Sequence, residues 1–191
     1  MRISKRALLS GLAMLGTVAL TAAADDTTPM LVNNPADFWG IWGPAKTEMV
    51  TDRSVPGGTA KRVAISPKPD HPWDVGAYVG IVKPVHKGDV LLLAFWARAE
   101  KVPAGNDFIE LFAARIYGTA PPNTGVTPEV SFLAGPQWKQ YYESGTATQD
   151  YPVGTLSVGM QLGTGDQIVD FGPVSVFDYG PGYDLTKLPH N

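Results

Sequence analysis

Val90 to Glu100 reads VLLLAFWARAE, and its alternation decides the fold. Successive side chains of a strand point to opposite sides. Leu91, Leu93, Phe95 and Ala97 therefore share one face, and Leu92, Ala94, Trp96 and Arg98 the other. A run of this length, opened by the turn Lys87-Gly88-Asp89, predicts a central strand. Farther along, Leu156, Val158, Met160 and Leu162 alternate with Ser157, Gly159, Gln161 and Gly163, as in a half-buried strand. Val169 to Phe177 predicts another, with Val174 and Val176 inward and Ser175 outward. Pro173 interrupts it and cannot donate to a ladder, so an edge position or a bulge is expected there. Phe108 to Tyr117 (FIELFAARIY) fits two periods. Phe108, Phe112 and Arg115 would line a helix, but the turn-rich flanks favour a strand.

Shorter strands are expected at 47–51, 61–66, 77–82, 130–133 and 139–146. Turn clusters separate them: Val55-Pro56-Gly57-Gly58, Pro67-Lys68-Pro69-Asp70, Gly118 to Gly125, and Gly163-Thr164-Gly165-Asp166. About nine short strands with no amphipathic helix imply an all-β sandwich or barrel. The 21 Gly and 17 Pro in 191 residues suit strands joined by turns and exclude a helical bundle. No internal repeat or linker divides the chain, so one domain is expected over 25–179, followed by an irregular tail, 180–191.

Residues 1–24 read as a cleavable signal peptide. Arg2, Lys5 and Arg6 precede an apolar run from Ala7 to Ala19, and Ala22-Ala23-Ala24 supplies the small residues before the cut, expected after Ala24. The run is shorter than the roughly 20 residues that span a bilayer, so secretion or periplasmic export is expected and no membrane span. Cleavage removes three bases and no acid, leaving 12 bases against the 18 acids, a net charge of −6. That balance argues against a nucleic-acid partner, whose binding rests on phosphate neutralisation. The absence of Cys excludes disulfides, thiolate metal sites and a Cys nucleophile.

Catalytic patterns are sparse. His71, His86 and His190 sit in no metal-binding spacing, and no Gly-x-Ser-x-Gly elbow occurs. A glycosidase needs two facing carboxylates, and Glu100, Glu110, Glu129 and Glu143 are available, with Glu110 notable inside an apolar strand. Aromatic residues are the stronger feature. Sugars present flat C–H faces ringed by hydroxyls, so their sites pair Trp or Tyr platforms with amides, carboxylates and Arg. Trp96 and Arg98 share a strand face that would line a groove, and Gln161 between Gly159 and Gly163 would suit the floor of the same groove. Trp73 in a loop and Tyr78 and Tyr117 on strands complete the candidate ligand-binding set. Trp138 is expected to be structural.

Lys87-Gly88-Asp89 with VLLLAFWARAE resembles the core strand of secreted carbohydrate-binding modules of the family four/nine group. Asn34-Pro35-Ala36-Asp37-Phe38 looks like the opening segment of such modules, and Pro56 to Val63 like the turn into their second strand. Pro72-Trp73-Asp74-Val75 before Tyr78 resembles the segment ahead of the core strand. Gly135 to Lys139 looks like a Trp-initiated strand, and Val169 to Val176 like the closing one, so the resemblance covers most of 31–179 in order. It implies a galactose-binding-like jelly roll that binds a polysaccharide or oligosaccharide in a concave groove without cleaving it. It also implies a structural calcium, for which Asp170 is the candidate ligand, and a separate glycoside hydrolase as partner.

A non-enzymatic, glycan-binding β-sandwich is thus the expectation. Two other classes compete. One is an extracellular protein-interaction sandwich whose aromatics form a flat patch. The other is a small secreted glycosidase or lyase using Glu110 with Glu129, or Tyr117 with His86.

Overall fold

The computed structural model describes residues 28–191, so the expected signal peptide lies outside the described residues. Eleven strands are described: β1 (Met30–Leu31), β2 (Gly40–Trp42), β3 (Lys46–Thr51), β4 (Thr59–Ile65), β5 (Gly76–Gly80), β6 (Asp89–Lys101), β7 (Ile109–Gly118), β8 (Val130–Ala134), β9 (Lys139–Thr146), β10 (Leu156–Gln161) and β11 (Gln167–Pro181). One antiparallel sheet runs β3-β4-β11-β6-β9, with β1 also on β11; the other runs β2-β5-β10-β7-β8. The two pack face to face as a β-sandwich of jelly-roll type, as the alternation of β6 requires. Leu91, Leu93, Phe95 and Ala97 are fully buried between the sheets. The Phe95 ring is stacked on Tyr141 at 5.4 Å and met edge-on by Trp39 at 5.6 Å and Phe132 at 5.5 Å, so four strands or loops converge on one aromatic knot.

Pro173 falls where the β11–β6 register shifts between Phe171 and Val174, and β4 pairs with β11 only as far as Phe171. The proline is therefore accommodated by a bulge in a central strand, and the edge position is not used. Val174 and Val176 are buried as expected. FIELFAARIY resolves as strand β7, and the source of its double period is a second bulge. Phe112 faces Gln161 while Arg115 faces Gly159, so two steps on β10 oppose three on β7. The register to β8 slips at the same place, and Ala113 takes φ +50°.

The outer face of β6 is covered rather than open at its start. Leu92 and Val90 pack with Leu188, and Tyr142, Phe177, Tyr179 and Tyr183 close round them. A 3₁₀ turn at Leu185–Lys187 carries the tail there. Asn191 then brackets the β9 edge, donating to Tyr142 O at 2.6 Å and accepting from Tyr142 N at 3.2 Å. No helix among the described residues is long and apolar enough to cross a membrane.

Candidate functional site

The outer face of the β2-β5-β10-β7-β8 sheet carries the candidate site. Its register sets side chains in rows across the strands. Trp42, Gly76, Gln161 and Phe112 form one row; Gly40, Tyr78, Gly159 and Arg115 form the next; Ser157 and Tyr117 lie in the third. Each strand thus alternates inward core residues such as Ala77, Val158 and Ile116 with outward aromatics or glycines.

The glycines decide the shape of this face. A Cβ at Gly76 would collide with the Trp42 ring, and one at Gly40 with the Tyr78 ring. At Gly159 it would come within 2.7 Å of Tyr117 Cε1. Three rings therefore lean across neighbouring strands onto bare backbone. Trp42 and Tyr78 lie side by side, 6.3 Å between centroids. Trp42 is held in place because its Nε1 donates to Trp73 O at 2.9 Å. A groove of about 230 Å³ runs over Gly159 and Gln161, lined also by Trp42, Arg115, Tyr117 and Asn123. The loop after β7 makes its wall: Asn123 adopts φ +55° and donates from Nδ2 to Gly118 O and Thr119 O, 3.1 Å each.

Polar groups are few. Gln161 Oε1 is buried without a partner among the described residues, so the amide is an unanswered hydrogen-bonding group in the groove floor. Arg115 lies 5.0 Å from the Tyr117 ring centroid and forms an ion pair with Glu129. That engages one of the carboxylates considered for catalysis. Glu110 lies beyond the Phe112 row, opposite Leu133, and His86 stands 3.8 Å from Asp150 in the turn before β6.

Of the six candidate ligand residues, Tyr78, Tyr117 and Gln161 come together here. Trp73 stands just off the sheet, its ring exposed and stacked on His71 at 4.6 Å. Trp96 and Arg98 do not join them, which corrects the expectation of one groove holding Gln161, Trp96 and Arg98. They belong to β6, on the outer face of the other sheet, because the inner face of β6 is the core side shared by both sheets.

Arg98 there is occupied. It donates from Nε and Nη2 to Asp170 Oδ2 at 3.0 and 2.9 Å, reaches Asp52 Oδ2 at 3.1 Å and Glu100 Oε2 at 3.2 Å, and stacks on Trp138 at 5.1 Å. Arg62 holds the other Asp170 oxygen at 2.8 Å and also meets Glu100 at 3.0 Å. Hydrogen bonds from the Ser54 hydroxyl and N–H, then from Trp138 Nε1, hold the Asp52 carboxyl down at about 2. Asp170 hydrogen-bonding raises the Arg62 pKa further above its ordinary value.

These partners do not suit a calcium at Asp170. Both its oxygens accept from guanidinium groups, and two fixed cations beside it would repel a third. Among the described residues no group of three or more His, Asp or Glu side chains is placed to hold a metal ion.

Trp42, Arg115, Phe112 and Asn123 were not singled out from sequence. The available signal was the spacing of glycine two residues from an outward aromatic or amide: Gly40-x-Trp42, Gly76-x-Tyr78, Gly159-x-Gln161. Arg115 shares the face of Tyr117 by simple alternation, and the bulge conceals only that Phe112 lies on that face too.

No family model matches the sequence, and no curated protein matches it. Solved structures do. A structure described as a CBM4 module aligns over 72% of this chain and 89% of its own at 18% identity, TM-score 0.50. The CBM22-1 xylan-binding domain from Paenibacillus barcinonensis aligns over 84% of this chain and 100% of its own at 11% identity, TM-score 0.53. The second N-terminal cellulose-binding domain of Cellulomonas fimi β-1,4-glucanase C aligns over 83% and 95% at 17% identity, TM-score 0.52. The chain has the β-sandwich jelly-roll fold of these carbohydrate-binding modules.

Proposed function

We propose that this protein is an exported carbohydrate-binding module that holds a polysaccharide chain in the groove over β5, β10 and β7 and does not cleave it. The observation that carries this reading is the set of three rings, Trp42, Tyr78 and Tyr117, laid on Gly76, Gly40 and Gly159. Flat, immobilised aromatic faces suit the C–H faces of pyranose rings, and they lose little side-chain freedom on binding. The Gln161 amide and Arg115 line the groove beside them and supply its hydrogen-bonding groups. The fold shared with xylan-binding and cellulose-binding domains supports the same reading. A glycoside hydrolase acting on the same polymer is the expected partner, and export follows from the charge and cleavage pattern of residues 1–24.

The test is retention on insoluble cellulose, xylan and mannan, with a reducing-end assay on the same samples. Retention without new reducing ends is expected. New reducing ends would assign catalysis instead, and release by every glycan would favour a protein partner for the aromatic face.

A further inference from the structure

Arg115 is the one charged residue among those lining the groove, and it is answered from the rim by Glu129. The Arg115 side chain is 29% exposed and that of Glu129 53%, so the pair is open to water and to whatever enters the groove. We infer that Glu129 acts as a charge filter on Arg115, restricting the groove to uncharged polysaccharide and turning away chains that carry carboxylates. The inference rests on the binding reading above and names the substrate class within it.

The chemistry is that of a forked cation with a competitor already in place. A guanidinium has five donors and pairs best with a carboxylate through two parallel bonds. Stacking over Tyr117 orients Arg115 in the groove, so without Glu129 it would offer an uncompensated fork to any uronate lying on the ring platform. Glu129 takes that role internally. A second carboxylate must either approach Glu129 as a like charge or displace it, whereas a hydroxyl can use the remaining donors of Arg115 with no such penalty. An exposed pair of this kind contributes little to stability, so its place at the groove is better explained by what it does to a ligand. The acidic balance of the whole chain works in the same direction at low salt.

Affinity electrophoresis with a soluble neutral β-glucan or xylan and with polygalacturonate tests the filter. Wild type is expected to bind a neutral polymer and to ignore polygalacturonate. Glu129→Gln is expected to gain polygalacturonate binding by tenfold or more, lost again at 0.5 M salt (about a 4 Å Debye length) and lost in the double variant with Arg115→Gln. Neutral binding by Glu129→Gln should change by less than about threefold. Circular dichroism of each variant shows whether the fold is intact, and the exposure of Glu129 predicts that it is. The filter is overturned if wild type binds polygalacturonate as well as the neutral polymer, or if Glu129→Gln leaves the preference unchanged while neutral binding persists. Loss of neutral binding with no acidic gain would make Glu129 a positioning residue instead. Absence of all binding by both proteins would sink the groove reading itself, and the filter with it.

Discussion

The two outer faces of the sandwich use aromatic and charged residues in opposite ways. On the β3-β4-β11-β6-β9 sheet, Arg62 and Arg98 close on Asp170, Glu100 and Asp52, and Trp138 caps Arg98, so the charged groups of this cluster satisfy one another. On the β2-β5-β10-β7-β8 sheet, rings lean onto glycines and the Gln161 oxygen has no partner among the described residues. A Trp two residues from an Arg thus marks a finished surface in one case, while a Trp or Tyr opposite a Gly marks an unfinished one. Saturation, more than residue type, separates a structural face from a binding face.

The sharpest way to break that contrast is to open the saturated side. Asp170 is fully buried between two guanidiniums, so Asp170→Ala removes the anion they share and should cost about 3–5 kcal/mol. Thermal unfolding should show a drop in Tm of about 10 °C, with glycan retention at low temperature unaffected. The next largest effect belongs to the other face. Trp42→Ala or Tyr78→Ala should weaken polysaccharide binding by about 2 kcal/mol or more in calorimetry, whereas Trp96→Ala should leave affinity unchanged. Equal losses from Trp96→Ala would reverse the assignment of the two faces.

Gly159→Ala separates ring posture from ring presence. The nearest atoms to the new methyl are all in the Tyr117 side chain, so the ring must lift while the backbone keeps its place. A loss of affinity of about tenfold with less than about 1 kcal/mol change in stability is expected, read by titration and by denaturant unfolding. The smallest effect concerns Glu143, opposite Leu93 on the inner side of β9, where burial pushes its carboxyl up to about 7. Between the ordinary carboxylate range and that value the folded chain keeps a proton the unfolded chain has released. Stability should therefore fall as pH rises from about 4.5 to about 7. Glu143→Gln should remove that fall and stabilise the protein by about 1 kcal/mol at pH 8 but not at pH 4.5, compared by Tm at the two pH values.

Much of this was legible in the chain. The strands that bury one face are visible in their alternation, as β6, β10 and β11 are, and the turn-bounded stretch 139–146 coincides with β9. Strands β1 and β2 were not, because two or three residues carry no period, and β2 holds its place through pairing with β5. The site was half legible. Tyr78, Tyr117 and Gln161 stood out as polar or aromatic residues at outward positions of readable strands. The grouping of Trp96 and Arg98 with Gln161 failed because alternation tells which residues share a face of one strand, and not which sheet that strand joins. Nor could alternation reveal that Arg98 is bound to Asp170, 72 residues away.

The extra residue at Ala113 works as a parity switch in the gene. Before it, odd-numbered positions of β7 such as Ile109 and Leu111 face the core; after it, even-numbered positions such as Ala114 and Ile116 do. Phe112 and Tyr117 share a surface only because that count is reset between them. An in-frame deletion of one codon there would keep the composition, the charge and the apolar content of the strand almost intact. With Ala113 removed, Ile109, Leu111, Ala114 and Ile116 would alternate strictly inward and Phe112, Arg115 and Tyr117 outward, so both faces would survive and the bulge alone would be lost. The extra residue therefore governs the bend of β7 against β8 and β10, while alternation on either side of it decides which side chains line the groove.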